Sequence, residues 1–371
     1  MALSIEAIKF NHDSLPATNY ALNIRVDATR FVDVPEWRNG ISVKASDSPA
    51  AYALDTVGGN TISIQAKFRA QPPRTGPSRI RGVTSGLESN PLGDVAPASV
   101  TFDDDGNSEW VKFDVTGNLG GAVSVTDIIW EWQELDPQSN AWVAFARTQH
   151  RIYVVLLVPT APWQQEPYSA GNTQLPWTAV LDYACVWAAN AATIVSAARW
   201  ITEKVYALGP DTLIYDCPGS GSKHYSRGVF NCTKFLERLG GGPGNGIYVN
   251  CADCATVTST FSNILGCNLE QAIMGYDFEL NPTLAIGTED WQTACGWKTF
   301  TYHEVAWQPP CQEANAVFDA CLKVSMIPNS QEPPFVGIQP IQMMFSMYQP
   351  RLSPQAENCI PRPPGSRRIV V

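Results

Sequence analysis

The chain has 371 residues, 44% of them hydrophobic and only 16% charged, with 12 tryptophans. That composition supplies ample apolar surface to bury and excludes global disorder. A formal net charge of −10 argues against nucleic acid as a partner, because a sequence-independent grip on phosphates needs clustered Lys and Arg. The length exceeds one ordinary core and predicts two domains.

The opening MALSIEAIKF has neither the basic start nor the long apolar stretch of a secretory signal. No run of about 18 apolar residues follows anywhere. The expectation is a cytoplasmic protein with no membrane span, signal-less export being the alternative. All ten cysteines lie at or after Cys185, an asymmetry that again points to two unlike domains. In a large chain without a signal peptide they are expected as reduced, mostly buried thiols rather than a disulfide framework.

Residues 1–158 are predicted to form an N-terminal all-β sandwich. Short runs rich in β-branched and aromatic residues, among them NYALNIRV, TISIQAKF, EWVKFDV and IIWEWQE, are separated by turn-formers such as Gly58-Gly59-Asn60 and Asp103-Asp104-Asp105-Gly106-Asn107. Alternation places Val111, Phe113 and Val115 on one face and Trp110, Lys112 and Asp114 on the other, as in a half-buried strand. Many such strands with polar turns predict an antiparallel sandwich. Residues 71–97, rich in Pro, Gly, Ser and Arg, lack periodicity and are expected to be a long surface loop. Their Arg74, Arg79 and Arg81 form the only local basic cluster of this half, and a protein partner for the sandwich is the functional reading.

Residues 159–176 carry Pro159, Pro162, Pro167 and Pro176 and are predicted to be the linker. A second, α+β domain is expected over 177–371, tail included. It begins with an Ala-rich helical pattern that runs to Gly209-Pro210, long enough to break into two helices. The following YDCPGSGSKHYSRG is loop-like, with His224 expected in solvent. Its glycines match no phosphate-binding pattern.

The most informative stretch is GIYVNCADCATVTSTFSNILGC. A short apolar strand leads into Cys251, and helical spacing of Ala255, Thr258, Phe261, Ser262 and Leu265 predicts a helix with one buried face, stopped by Gly266. A cysteine in the first helical turn meets the positive end of the dipole and unpaired N–H groups, which favour thiolate. Further on, KTFTYHEVAW and AVFDACLKV are predicted as paired strands. A hairpin centred on Cys311 would set His303 directly opposite Asp319, within reach for a carboxylate to hold an imidazole N–H. Cys, His and Asp so arranged can run acyl chemistry as nucleophile, general base and orienting acid. The oxyanion would use the Cys251 N–H plus a second donor, with Trp177, Trp187 and Asn250 as candidates.

Cys251-Ala-Asp253-Cys-Ala255 with Gly266 closing the helix, then His303, then Asp319, resembles the transglutaminase-like superfamily of papain-like thiol enzymes, over roughly residues 177–325. The resemblance implies Cys251 as nucleophile, His303 as base, Asp319 as orienting acid, and Asp253 and Ala255 as motif positions of the core helix. It implies amide hydrolysis, deamidation or transfer to an amine on a protein or peptide substrate, with no metal and no organic cofactor. Two departures stand out. Val305 replaces the aromatic that bacterial members commonly carry two residues after the histidine, and Cys254 is unusual within the helix. The superfamily also contains members without catalysis, so the alternative is a silent scaffold or adaptor in a secretion or phage-like assembly. The Cys251–Cys254 spacing allows a redox pair, whereas a zinc site lacks a second close pair of ligands.

Overall fold

The computed structural model describes residues 2–11, 20–57, 61–86, 90–289, 294–325, 327, 342–355 and 362–371. It is a mixed α and β protein dominated by strands. Contacts divide the chain into two compact units, Met1–Val158 with Gln165–Ala192, and Pro159–Gln164 with Thr193–Val371.

The first unit contains β1 (Ala2–Lys9), β2 (Trp37–Arg38), β3 (Pro49–Ala53), a single helical turn α1 (Leu54–Val57), β4 (Ser63–Gln71), β5 (Gly76–Thr84), β6 (Val95–Phe102), β7 (Val111–Asp114), β8 (Ser124–Asp136), β9 (Ala141–Val155) and α2 (Thr178–Trp187). Two sheets, in orders β2-β1-β4-β7 and β3-β9-β8-β5-β6, contribute to one core that includes Ile5, Phe68, Phe113, Trp130 and Trp132. Period-2 burial along β8 puts Ile128, Trp130 and Trp132 inside. There Trp132 meets Phe68 and Phe113 edge-on at 5.6 and 5.7 Å, a favoured arrangement of ring quadrupoles. The strands are not all antiparallel as expected, since β3 pairs parallel to β9.

The loop expected over 71–97 is also corrected. Half of its described part is β5 and the start of β6, paired antiparallel. Two of the three arginines are engaged: Arg74 pairs with Glu134, and Arg81 donates to Gln133 Oε1 at 2.8 and 3.0 Å beneath the Trp142 ring, while Arg79 is exposed. The turn expected at Gly58-Gly59-Asn60 lies outside the described residues.

The proline-rich stretch is anchored rather than a free tether. In the second unit Thr160 N donates to Asn263 O (2.9 Å) and Trp163 Nε1 to Thr260 O (2.9 Å). In the first unit Asn23 N donates to Gln165 Oε1 (3.0 Å). The Ala-rich helical stretch is two helices, divided between the units. Helix α2 packs on β8 and β9, so residues 177–192 belong with the first unit rather than with the domain expected to start at 177.

The second unit holds α3 (Ile194–Tyr206), β10 (Ile214–Tyr215), α4 (Cys232–Leu239), β11 (Tyr248–Val249), α5 (Cys251–Asn263), β12 (Glu270–Glu279), β13 (Thr283–Ala285), β14 (Thr299–Trp307), β15 (Ala316–Phe318), β16 (Leu322–Val324), β17 (Gln342–Met344), α6 (Phe345–Leu352) and β18 (Arg362–Ser366). A sheet in the order β17-β15-β14-β12-β18 packs through β14 and β12 against α5, which α3 also contacts. Every residue of α5 is buried, a correction to the single buried face expected. Its hydroxyls survive burial partly by bonding to the helix itself, Thr256 Oγ1 to Ala252 O (2.6 Å) and Ser259 Oγ to Thr256 O (3.1 Å). Gly266 takes the left-handed conformation (φ 89°) that ends the helical segment.

Candidate active site

Cys251 is the first residue of α5, and the helix start is built by its neighbours. Asn250 Oδ1 accepts from Asp253 N (3.0 Å) while Asp253 Oδ2 accepts from Asn250 N (3.1 Å), a reciprocal cap that satisfies two orphan donors. Asp253 is fully buried. Its carboxylate also accepts from His224 N (2.9 Å), Tyr225 N (2.9 Å) and Ser226 Oγ (2.7 Å), so this motif position fixes the preceding loop to the helix that presents Cys251.

His303 lies on β14 and Asp319 directly after β15, both at or near zero exposure. His303 Nε2 bonds Asp319 Oδ2 at 2.8 Å. The contact arises by a different register from the one expected. Ala306 faces Phe318 and Trp307 faces Val317, so continuing the ladder sets Asp319 opposite Val305, with His303 its diagonal neighbour on the same face. Diagonal pairs remain within reach of long side chains. The predicted second strand is broken at this point, because Asp319 Oδ1 accepts from Cys321 N (2.7 Å) and Leu322 N (3.1 Å), turning the chain between β15 and β16. Tyr348 of α6 donates its hydroxyl to Asp319 Oδ2. On the other side of His303, β12 shifts register between Ile273 and Tyr276, an irregularity of the kind that re-aims side chains.

His303 Nδ1 makes no hydrogen bond, and Cys251 is near enough to the ring to contribute to its electrostatics. Burial works against the imidazolium, but the Asp319 charge and hydrogen bond, with a further contribution from Cys251, push the His303 pKa up to about 10. The tautomer compatible with this geometry donates Nε2–H to the carboxylate and turns Nδ1 to the thiol.

A cleft of about 270 Å³ opens at Cys251, lined by Tyr215, Gly221, Asn250, Trp297, Phe300 and Tyr302 among others. Its two walls are covalently joined. The Cys217–Cys295 disulfide links the loop bearing Gly221 to the segment leading to Trp297, correcting the expectation that all cysteines are reduced. Cys185, Cys232, Cys251, Cys254, Cys267, Cys311 and Cys321 are free. Cys254 neighbours Cys321, whose pKa is pushed up chiefly by burial and then by Cys254. Among the described residues no group of three or more His, Cys, Asp or Glu is placed to hold a metal ion.

The structure therefore brings Cys251, His303, Asp319, Asn250 and Asp253 together. Asn250 is committed to the helix cap and, through Nδ2, to Gly221 O (2.7 Å). Trp177 and Trp187 belong to the other unit, Trp177 donating Nε1 to Thr173 O (3.0 Å). His224 was expected in solvent, but it bonds Asp216 Oδ2 at 2.9 Å. Burial opposes the Asp216 charge, yet bonds from His224, Gly219 N and Ser222 N hold its carboxyl below the usual range. Tyr348, Tyr302 and the Asp216–His224 pair were not anticipated. The alternation that exposed His303 also pointed to Tyr302 as its neighbour, while nothing local marks Tyr348.

No protein-family profile matches the chain, and no curated protein matches it. Among the described residues no helix is long and apolar enough to cross a membrane.

Proposed function

We propose that the second unit is a transglutaminase-like α+β domain performing thiol-dependent acyl chemistry on protein or peptide amides, and that the first is a β-sandwich serving as a protein-binding module. The observation that carries the reading is the His303–Asp319 bond (2.8 Å) beside Cys251 at a helix N-terminus, with Nδ1 of the ring unengaged. His303 Nδ1 takes the Cys251 thiol proton as Sγ forms a bond to the acyl carbon and the carbonyl π pair moves to oxygen. Collapse of that adduct expels the amine, which takes the His303 Nδ1 proton. Water or a second amine then attacks the thioester, His303 accepts its proton, and the thiol is regenerated with an acid or a new amide as product.

The rival, a silent scaffold, is favoured by one observation: Cys251 is only 3% exposed. One experiment separates the two. Native protein treated with p-nitrophenyl acetate should carry a hydroxylamine-sensitive acetyl thioester on the Cys251 peptide, absent in Cys251→Ser. Acetylation confined to lysines, or to thiols other than Cys251, would reject the enzyme reading.

A further inference from the structure

We infer that the Tyr302 hydroxyl is the side-chain donor of the oxyanion hole, acting with the backbone N–H of Cys251. This rests on the acyl chemistry proposed above and identifies a further catalytic residue for it.

The Cys251 N–H opens a helix and so has no intrahelical acceptor. A tetrahedral adduct on Sγ places its oxygen beside that N–H, and a second donor must approach from the cleft side. The three residues first considered for this task are otherwise placed. The residues lining the cleft at Cys251 include neither Trp177 nor Trp187, and Asn250 uses its oxygen for Asp253 N and one amide N–H for Gly221 O. Tyr302 shares the cleft wall with Cys251 and is half-buried, accessible to a substrate yet partly removed from water.

The phenol has the surroundings the role requires. Burial raises its pKa first, and the neighbouring Cys251 and Glu304 add to the rise against smaller opposing effects of Asn250 and Arg368. The group stays protonated, hence a donor, throughout the pH range in which a thiol enzyme works. Asn250, the N-cap of this helix, lines the same cleft as the phenol. Tyr215, the other tyrosine of the cleft, is 3% exposed and stacks flat on Phe300 at 6.4 Å, which assigns it to the wall.

The test compares two reactions of one thiol. Acylation by p-nitrophenyl acetate passes through an oxyanion, whereas alkylation by iodoacetamide is a direct displacement at carbon and does not. Tyr302→Phe should lower Cys251 acylation by about 10²-fold and leave its alkylation within about two-fold of wild type, a twofold being only about 0.4 kcal/mol. Equal losses in both reactions would mean that Tyr302 acts on the thiolate or the fold, and would overturn the assignment. So would an unchanged acylation rate in Tyr302→Phe, or a loss found in Tyr215→Phe instead. If wild-type Cys251 is not acylated at all, the acyl chemistry itself fails, an outcome distinct from the others and equally fatal to this assignment.

Discussion

Replacing Asp319 by asparagine is expected to lower the proposed acyl transfer by about 10³–10⁴-fold, the scale seen when an orienting carboxylate is neutralised. Oδ1 is held by Cys321 N and Leu322 N, so the asparagine oxygen must stay on that side and its Nδ2 must face His303 Nε2. An amide N–H opposite Nε2 disfavours the tautomer in which Nε2 carries the proton, and the ring then presents Nδ1–H, not a base, to Cys251. The pH profile changes as well. With His303 raised to about 10, despite burial and chiefly through Asp319, the imidazolium that protonates the leaving amine persists below about pH 10 and is lost above it. Wild-type turnover should therefore have its alkaline limb near pH 10. In Asp319→Asn the larger part of the upward pull is gone, only that of Cys251 remaining, and the limb moves to lower pH. Measuring kcat/KM from pH 6 to about pH 11 for both proteins checks the magnitude and the direction. An unchanged limb would show that Asp319 does not act through His303.

Arg368→Met is expected to destabilise the second unit by about 3–5 kcal/mol, the cost of leaving a buried charge without its partner. Arg368 pairs with both oxygens of Glu304, whose side chain is 4% exposed. It also donates to Gln271 Oε1 (2.7 Å), Thr256 Oγ1 (3.0 Å) and Ser226 O (3.1 Å). Burial alone would lower its pKa, but Glu304 outweighs this and raises it. One side chain near the end of the described chain thus ties β12, β14, α5 and the loop held by Asp253. The arrangement is completed by the strand-like contact of Phe230 with Val370. Chemical denaturation of the single variants and of Arg368→Met/Glu304→Gln gives the check. The double variant should lose less than Arg368→Met because no lone charge remains inside. A loss below about 1 kcal/mol in Arg368→Met, the range of exposed ion pairs, would contradict it.

The parts of this arrangement that were legible in the sequence are those whose signal is local. A cysteine between a strand pattern and a helical one announces a helix start, whereas its cap by Asn250 and Asp253 came only with the structure. Strict alternation around His303 announces a strand. The register was not legible, since a shift along the ladder that keeps the same face inward leaves the alternation unchanged. That is why His303 and Asp319 meet diagonally rather than directly.

Strand β5 was hidden for a different reason. Its inward face is Ile80 and then Gly82, where a Cβ would come within 2.9 Å of Val95. A face made partly of glycine has no hydrophobic period to detect. The disulfide joins positions 78 residues apart, Tyr348 reaches Asp319 from 29 residues away, and α2 parts from α3 because its packing surface lies on β8 and β9. Each depends on tertiary placement, to which local pattern is blind.

The central claim is that Cys251 and His303 act as one chemical unit. The most direct measurement is the rate of Cys251 alkylation by iodoacetamide in the native protein at pH 7, by peptide mass spectrometry, in wild type and in His303→Ala. Cys311, the one half-exposed free thiol among the described residues, is the internal reference. Cys251, although buried, should react faster than Cys311 and lose about 10-fold or more of its rate in His303→Ala, because the thiolate and not the thiol is the nucleophile. A Cys251 that reacts no faster than Cys311, or at the same rate without the imidazole, would contradict the account.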